Sequence, residues 1–223
     1  MISDIKPDII FHCAAESFVS PSWDHPHRYM SVNYNGTVNL LDALRRINSK
    51  CLFHIPGSGE EYGEVTKEDI PINDKTALKP VNPYAVSKIA QDLIGYVYYK
   101  SYGLNVIRTR AFNHEGPRRE KVFGISSYAY QIARIEKKLQ SKVIKVGHIE
   151  DKRNFTHVYD IVDGLIKIAL SSKKHIDAWE LGTGINYSVN EVYQMFLDKF
   201  EVDCTCLLYT SDAADDMQCV DLG

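Results

Sequence analysis

The segment Asn82-Pro-Tyr-Ala-Val-Ser-Lys88 predicts the start of a helix. Asparagine is a good N-cap residue, and the fixed φ of Pro83 suits the first helical position. Tyr84 and Lys88 are four residues apart, so both side chains lie on one face of this helix. A lysine ammonium stabilises a nearby phenolate, and we therefore expect the pKa of Tyr84 to fall below its usual value of about 10. Such a phenol can act as an acid or base near neutral pH.

The residues upstream of this helix predict a strand and a ligand-binding loop. Cys51–Ile55 is a short apolar run typical of a buried strand. It leads into Pro56-Gly-Ser-Gly-Glu-Glu-Tyr-Gly63, which carries one hydroxyl and two carboxylates. In an α/β sheet, a loop at the carboxyl end of a strand is where ligands bind. We therefore expect Ser58 and Glu60 to lie near the tyrosine and lysine of the helix.

These four residues resemble the catalytic set of the extended short-chain dehydrogenase/reductase family, in its nucleotide-sugar branch. A second segment narrows the resemblance: Asn113-His-Glu-Gly-Pro-Arg-Arg119, directly after Arg108-Thr-Arg-Ala-Phe112, is similar to the same region of GDP-mannose 4,6-dehydratases. The resemblance implies an α/β fold with a partial Rossmann-like, doubly wound parallel sheet and part of a small C-terminal substrate domain. It also implies NADP as the cofactor, with NAD possible, and a nucleotide-sugar substrate.

The resemblance assigns roles to individual residues. The catalytic residues are Ser58, Glu60, Tyr84 and Lys88, and Glu61 is expected to be a solvated neighbour, because the family places its carboxylate two residues after the hydroxyl. Cofactor contacts are expected from Ala14, Ala15, Asn33, Tyr84, Lys88 and Arg119. Substrate contacts are expected from Ser17, Asn113, Arg118 and Arg153, and no metal site is expected. Two departures from the family pattern, His148 and Asn154, leave the substrate preference open.

The beginning and end of the chain predict a partial enzyme. Ile5–His12 is already a strand-like run, and no glycine-rich phosphate turn precedes it. We interpret residues 1–115 as a partial dinucleotide-binding domain with the catalytic helix, and residues 116–202 as the rest of that domain mixed with part of a substrate domain. Residues 203–223 fit no part of this fold and are expected to be a disordered, non-native tail.

Periodicity predicts which helical faces are buried. The catalytic helix is expected to end near Tyr102–Gly103 and to bury Val86, Ile89, Ala90, Leu93 and Val97. A second helix is expected over Ser31–Ile47, with Val32, Gly36, Leu40, Ala43 and Leu44 in one stripe. Ser188 and Glu191 predict a capping box at the start of a later helix.

Composition limits the class of protein. The net charge of −3 and a hydrophobic content of 44% are ordinary for a globular domain, and they give no reason to expect a nucleic-acid or membrane partner. A cytoplasmic location follows by default. Cys13 and Cys51 are expected to be buried thiols. A homodimer or tetramer is expected from the resemblance.

Three functions stay open at this point. The first is dehydration of GDP-mannose through transient hydride transfer to NADP. The second, which needs Ser58, Tyr84 and Lys88 but no carboxylate base, is reduction of the GDP-4-keto-6-deoxy sugar or another nucleotide-sugar reaction. The third is an inactive fragment or a binding module.

Overall fold

The computed structural model describes residues 2–171, 177–200 and 206–209. In these ranges the strands are β1 (Ile9–Phe11), β2 (Leu52–Ser58), β3 (Val106–Ala111), β4 (Asn113–Glu115), β5 (Val143–Val146), β6 (Lys152–His157), β7 (Trp179–Leu181), β8 (Asn186–Ser188) and β9 (Cys206–Tyr209). The α-helices are α1 (Ile2–Ile5), α2 (Pro21–Asp24), α3 (Pro26–Tyr29), α4 (Gly36–Arg46), α5 (Pro83–Tyr102), α6 (Gly124–Glu136), α7 (Val158–Leu170) and α8 (Val189–Phe200).

The main sheet is fully parallel, in the order β1-β2-β3-β7. All four strands therefore end at the same edge, and the register places Ser58 of β2 beside Ala111 of β3. The chain crosses between the strands through helices, as an α/β fold requires. The other strands form two smaller sheets, β4-β6-β8 and β5-β9. The first of these begins with β4, which follows β3 almost directly along the chain. The topology confirms the predicted α/β class.

Two apolar clusters support these sheets. One joins β2 and β3 to α4 and α5, and its fully buried members include Leu41, Phe53 and Ile55. The other packs α6 and α8 against β5, around Ile132 and Ile144. None of the helices in the described ranges is both long and apolar enough to cross a bilayer.

Helix α5 begins and ends as predicted but buries the opposite face. The Asn82 side chain caps it by accepting a hydrogen bond from the Ala85 amide at 2.6 Å, and Gly103 ends it at φ +65°. The apolar residues expected in the core are largely outside: Val86, Leu93 and Val97 are each nearly half exposed. The buried face combines four polar residues, Ser87, Lys88, Gln91 and Asp92, with the less polar Tyr84, Ala85, Gly95 and Tyr98. The hydrophobic periodicity of α5 therefore predicted the wrong buried face. Its polar residues can be buried because groups from other elements pair with them.

The predicted helix over Ser31–Ile47 is longer and contains an irregular turn. A π-helical segment, Met30–Asn35, joins α3 to α4. The wider turn shifts the phase of the residues on either side, so Asn33 and Thr37 face inward with Leu41 and Leu44. Val32, expected in the apolar stripe, is partly exposed.

Other local predictions have mixed outcomes. The Ser188–Glu191 capping box is confirmed: the Ser188 amide donates to Glu191 Oε2 at 2.7 Å, and the Glu191 amide donates to Ser188 Oγ at 3.1 Å. Cys51 is buried, but Cys13, which lies beyond the end of β1, is exposed. Residues 206–209, within the expected disordered tail, form a strand that pairs in parallel with β5. The rest of that tail lies outside the described residues.

Candidate active site

A cavity of about 330 Å³ lies at the carboxyl edge of the main sheet. It brings together residues that are far apart in sequence. Those predicted as site residues that line it are Ser17, Ser58, Glu60, Tyr84, Asn113, Arg119 and Arg153. The cavity wall thus combines a hydroxyl, a phenol, a carboxylate and two guanidinium groups.

Five predicted site residues lie outside the cavity wall. Arg118 is exposed and has a φ of +74°, an uncommon conformation for a residue with a Cβ. Ala14 is exposed and Ala15 is half-buried, both just after β1. Asn33 and Lys88 are buried beneath the site.

The Tyr84 hydroxyl lies against the Ser58 loop. It lies close to the Ser58 side chain, which favours the ionised phenol, and its ring meets the edge of the Tyr29 ring at a centroid distance of 6.2 Å. Burial raises the pKa of Tyr84 above its usual value, and the Glu60 and Glu61 carboxylates raise it further. The predicted lowering of this pKa by Lys88 is therefore wrong for this structure, since burial outweighs the nearby positive charges.

Lys88 is held below the cavity by the helix and the sheet. Its ammonium donates to the Pro56 carbonyl and to Gln91 Oε1, the latter at 2.5 Å. Gln91 in turn donates to Thr37 Oγ1 at 2.8 Å. Burial lowers the pKa of Lys88. These bonds fix the lysine one helical turn from Tyr84, directed at the end of β2.

A buried histidine completes this polar network. His12 Nε2 lies 3.0 Å from Thr37 Oγ1. The threonine hydroxyl already donates to the Asn33 carbonyl at 2.7 Å, so it must accept from the histidine. The Nε2–H tautomer of His12 is thereby assigned from the hydrogen-bond pattern. The network links the end of β1 to Lys88 through α4 and α5.

Glu60 is the cavity carboxylate. Burial raises the pKa of Glu60 to about 7, against opposing effects of Arg153 and of a hydrogen bond from Asn82. Asn82 Nδ2 donates to Glu60 Oε2 at 3.2 Å, and the Glu60 amide donates to Ser58 Oγ at 3.2 Å. A carboxyl group with a pKa near 7 can both accept and donate a proton at neutral pH.

Glu61 is fully buried, and its predicted solvated position is wrong. Its carboxylate accepts the Ser58 amide at 2.8 Å and pairs with Arg110 Nε at 3.0 Å. The glycine-rich sequence suggested an open loop, but the 3₁₀ turn over Gly59–Tyr62 directs this side chain inward.

Asn33 connects the loop after β1 to the catalytic helix. Its side chain accepts the Glu16 amide at 2.8 Å, and Nδ2 donates to the Glu16 carbonyl at 3.1 Å and to Ser87 Oγ at 2.8 Å. These bonds order the backbone of the loop after β1 against the catalytic helix. It places Asn33 behind the site, and its predicted contact with a cofactor stays a prediction.

Sequence reasoning missed the part that four residues play in the site. Asn82 was expected only to cap the helix, yet it also binds Glu60. Arg110 was quoted only as part of a strand. Phe123 lies under the Arg119 guanidinium at 3.8 Å, and Glu115 pairs with the same arginine at 3.0 Å. The proximity of Glu115 to Arg119, four residues apart, is the one signal that sequence could have supplied.

Comparison with known proteins shows what the chain is similar to. Residues 1–216 match the family described as GDP-mannose 4,6 dehydratase. The GDP-6-deoxy-D-mannose reductase of Pseudomonas aeruginosa is 32% identical over 197 residues, which cover 88% of this chain and 64% of that protein. GDP-mannose 4,6 dehydratase 2 of Caenorhabditis elegans is 32% identical over 193 residues, covering 86% and 49%. The chain thus spans about half to two thirds of the length of these relatives.

A solved structure agrees with the sequence relatives. The structure of RMD from Pseudomonas aeruginosa complexed with NADPH has a TM-score of 0.86 and 30% identity to this chain, covering 91% of it and 68% of the solved chain. The fold is Rossmann-like, as predicted.

Proposed function

The chain belongs to the GDP-mannose 4,6 dehydratase family, and from that premise we propose that the protein dehydrates GDP-mannose to GDP-4-keto-6-deoxymannose, using NADP. One observation carries this proposal beyond the family. Glu60 lies in the cavity, bound through its amide to Ser58, and its carboxyl pKa of about 7 suits proton transfer at neutral pH.

The residues divide the chemistry among them. In its phenolate form Tyr84 takes the proton of the sugar 4-hydroxyl, and Ser58 holds that oxygen by a hydrogen bond as it becomes a ketone. The ketone acidifies the C5 proton, which Glu60 removes. Glu60 then protonates the 6-hydroxyl as it leaves as water, and in the final step Tyr84 gives C5 the proton that it took from the 4-hydroxyl. The nicotinamide, when bound, supplies hydride acceptance from C4 and hydride return to C6, so the reaction is redox-neutral.

The residues beneath the cavity fit a nicotinamide nucleotide. The Lys88 ammonium has three N–H donors, and the two hydrogen bonds described for it go to Pro56 and Gln91. A third donor suits a ribose hydroxyl. The Ala14–Ala15 segment follows β1 at the edge where Ser58 ends β2, and its small side chains suit a ring packed against the backbone. Structural relatives that bind NADPH or NAD support the same class of cofactor.

The cavity arginines suit the diphosphate of a nucleotide sugar. Arg119 and Arg153 line the cavity, and guanidinium groups bind phosphate oxygens in bidentate geometry. Asn113 and Ser17, also in the wall, offer hydrogen bonds to the sugar or diphosphate. Arg118 reaches substrate only if its loop moves, since it is exposed in this structure.

The test is an assay with GDP-mannose and a trace of NADP. We expect formation of the 4-keto-6-deoxy sugar without net change in NADPH. Glu60→Gln is expected to abolish dehydration and to leave GDP binding unchanged. Consumption of NADPH with the keto sugar, combined with no dehydration of GDP-mannose, would reject the proposal.

A second candidate is the 4-ketone reductase. Two observations favour it: the reductase of Pseudomonas aeruginosa is among the most similar relatives, and burial raises the pKa of Tyr84. A tyrosine that stays protonated is the form that donates a proton to a ketone oxygen. In that reaction Glu60 has no role, so Glu60→Gln is expected to keep reductase activity.

We also propose that the protein self-associates through the outer face of α5. Val86, Leu93 and Val97 form an exposed apolar row on this helix, and an exposed apolar patch is commonly an interaction site. Pairing of two copies along this face would bury the row and fix the helix that carries Tyr84.

A further inference from the structure

The carboxylate of Glu61 is bound on both oxygens without contact to solvent. Oε1 accepts the backbone amide of Ser58 at 2.8 Å, and Oε2 lies 3.0 Å from Arg110 Nε. The Ser58 side chain in turn accepts the Glu60 amide at 3.2 Å. The turn that presents Ser58 is therefore closed by two reciprocal hydrogen bonds, one of them charge-assisted.

Arg110 connects this turn to the catalytic helix. Its Nη2 donates to Asp92 Oδ2 at 2.7 Å, and Asp92 lies on α5, one helical turn after Lys88. Arg108, two residues earlier on β3, donates from Nη1 to both Asp92 oxygens at 3.0 Å. A continuous chain of hydrogen bonds thus runs from the Ser58 amide through Glu61 and Arg110 to Asp92.

The backbone leaves room for this carboxylate. A Cβ at Gly57 would lie 2.4 Å from Glu61 Oε1 and 2.5 Å from the Thr109 carbonyl oxygen. Neither distance is tolerable for a carbon atom, and the carbonyl belongs to the neighbouring strand. Glycine at position 57 is therefore required both by the Glu61 side chain and by the backbone of the neighbouring strand.

Stability alone does not account for these buried charges. Glu61, Asp92, Arg108 and Arg110 are all buried, and removing four charged groups from water costs as much as their pairing returns. Apolar side chains of similar volume generally fill such a space at no loss of stability. What an ion pair provides and an apolar pair lacks is a fixed orientation for the Ser58 amide.

We propose that Glu61 and Arg110 are positioning residues: together they fix the main chain of Ser58, and thereby the hydroxyl that Ser58 presents to Tyr84 and the substrate. The proposal rests on the proposed function, in which that hydroxyl holds the reacting oxygen. Neither side chain would touch substrate, because neither lines the cavity.

The test uses Glu61→Leu, Arg110→Met and the double variant that combines these two substitutions. Arg108→Met is the control. The control removes a buried arginine whose hydrogen bonds go to the same Asp92. We expect each single variant to be destabilised: Arg110→Met leaves the buried Glu61 carboxylate without its counter-charge, and Glu61→Leu leaves Arg110 Nε without its acceptor. The double variant is expected to unfold near the wild-type midpoint, with kcat still lower by roughly 10- to 100-fold and KM little changed. Arg108→Met is expected to lose stability but to keep kcat.

Hydrogen exchange at the Ser58 amide gives a readout that needs no activity. We expect the double variant to lose protection at this amide while the other amides of β2 keep theirs. Recovery of kcat together with stability in the double variant would overturn the proposal, as would unchanged exchange at Ser58. If the wild type does not turn over GDP-mannose, the proposed function is rejected instead. Hydrogen exchange at the Ser58 amide then tests the positioning role by itself.

Discussion

Asn82 Nδ2 lies 3.2 Å from Glu60 Oε2, so one side chain caps the catalytic helix and holds the cavity carboxylate. The orientation of the amide is fixed, because Asn82 Oδ1 accepts the Ala85 amide at 2.6 Å. Tyr84 is two residues further along the same helix. The start of α5 therefore holds both groups: Tyr84 lies on the helix, and Glu60 is bound to its capping residue. This contact fixes the separation of Glu60 and Tyr84.

Asn82→Ser separates the two roles of this residue. Serine caps helices about as well as asparagine, so we expect unfolding free energy to change by no more than about 0.5 kcal/mol. The lost donor destabilises the Glu60 carboxylate, and the pKa of Glu60 should rise. A pH–rate profile that keeps its wild-type inflection would contradict the contact. Asn82→Ala, which lacks a cap, is expected to lose about 1 kcal/mol in addition.

Glu60→Gln tests the raised pKa through stability. The folded pKa of about 7 exceeds the usual 4.5, so the protonated carboxyl is favoured by folding. Its contribution is present below pH 4.5 and is lost as the pH rises through 7. We expect the unfolding free energy of the glutamine variant to exceed that of the wild type by about 1–3 kcal/mol at pH 8 and to equal it at pH 4. Glu64→Gln, at an exposed site of the same loop, is the control in urea unfolding.

Tyr84→Phe removes only the hydroxyl. The ring keeps its packing against Tyr29, so the fold and GDP binding are expected to survive. Turnover is expected to fall on the order of 10²- to 10⁴-fold, the usual contribution of an acid/base group. Tyr102→Phe, at the exposed end of the same helix, should be neutral. Near-normal turnover in Tyr84→Phe would remove this tyrosine from the mechanism.

Lys88→Met tests the charge beneath the cavity. Burial is the main reason that the pKa of His54 is lowered to about 4, and Lys88 lowers it further. Without the ammonium, we expect the His54 pKa to rise but to stay below 6.5, and the His12 pKa to rise with it. Histidine titration by NMR measures both. Unchanged values would show that the lysine charge does not reach the histidines.

Leu93→Glu tests the outer face of α5. Leu93 is 46% exposed in this chain, and a carboxylate there cannot be buried against a second copy without a large cost. Sedimentation at increasing concentration is expected to show a smaller species than the wild type. Leu139→Glu, at a 62% exposed site outside α5, is the control. Equal sedimentation of the wild type and Leu93→Glu would exclude this face as the interface.

The elements of the fold could be predicted because their signals are local. Asn82, Pro83 and Gly103 bound one helix, Ser188 and Glu191 begin another, and each cap involves groups within a few residues of one another. The strands likewise appear as short apolar runs. Parallel pairing then follows from the helical crossovers, and it brings the chain segments after β2 and β3 to one edge.

The partners of buried polar groups could not be predicted in the same way. Glu61 faces Arg110, and Lys88 faces Pro56, across separations of 49 and 32 residues. The hydrophobic periodicity of α5 predicted that Leu93 and Val97 are buried, whereas Gln91 and Asp92 occupy the inner face. A polar residue is buried only if another element supplies its partner, and no local pattern reports that partner.

By itself, the sequence determined the α/β class and the main helices and strands, because short-range caps, turns and hydrophobic runs are sufficient for these. Its resemblance to a known family named the candidate site residues, and only part of them line the cavity. Only the tertiary structure decided the protonation tendencies of Tyr84 and Glu60, the inward position of Glu61 and the outer face of α5. Each of these depends on burial and on charges brought close by folding, which act through space rather than along the chain.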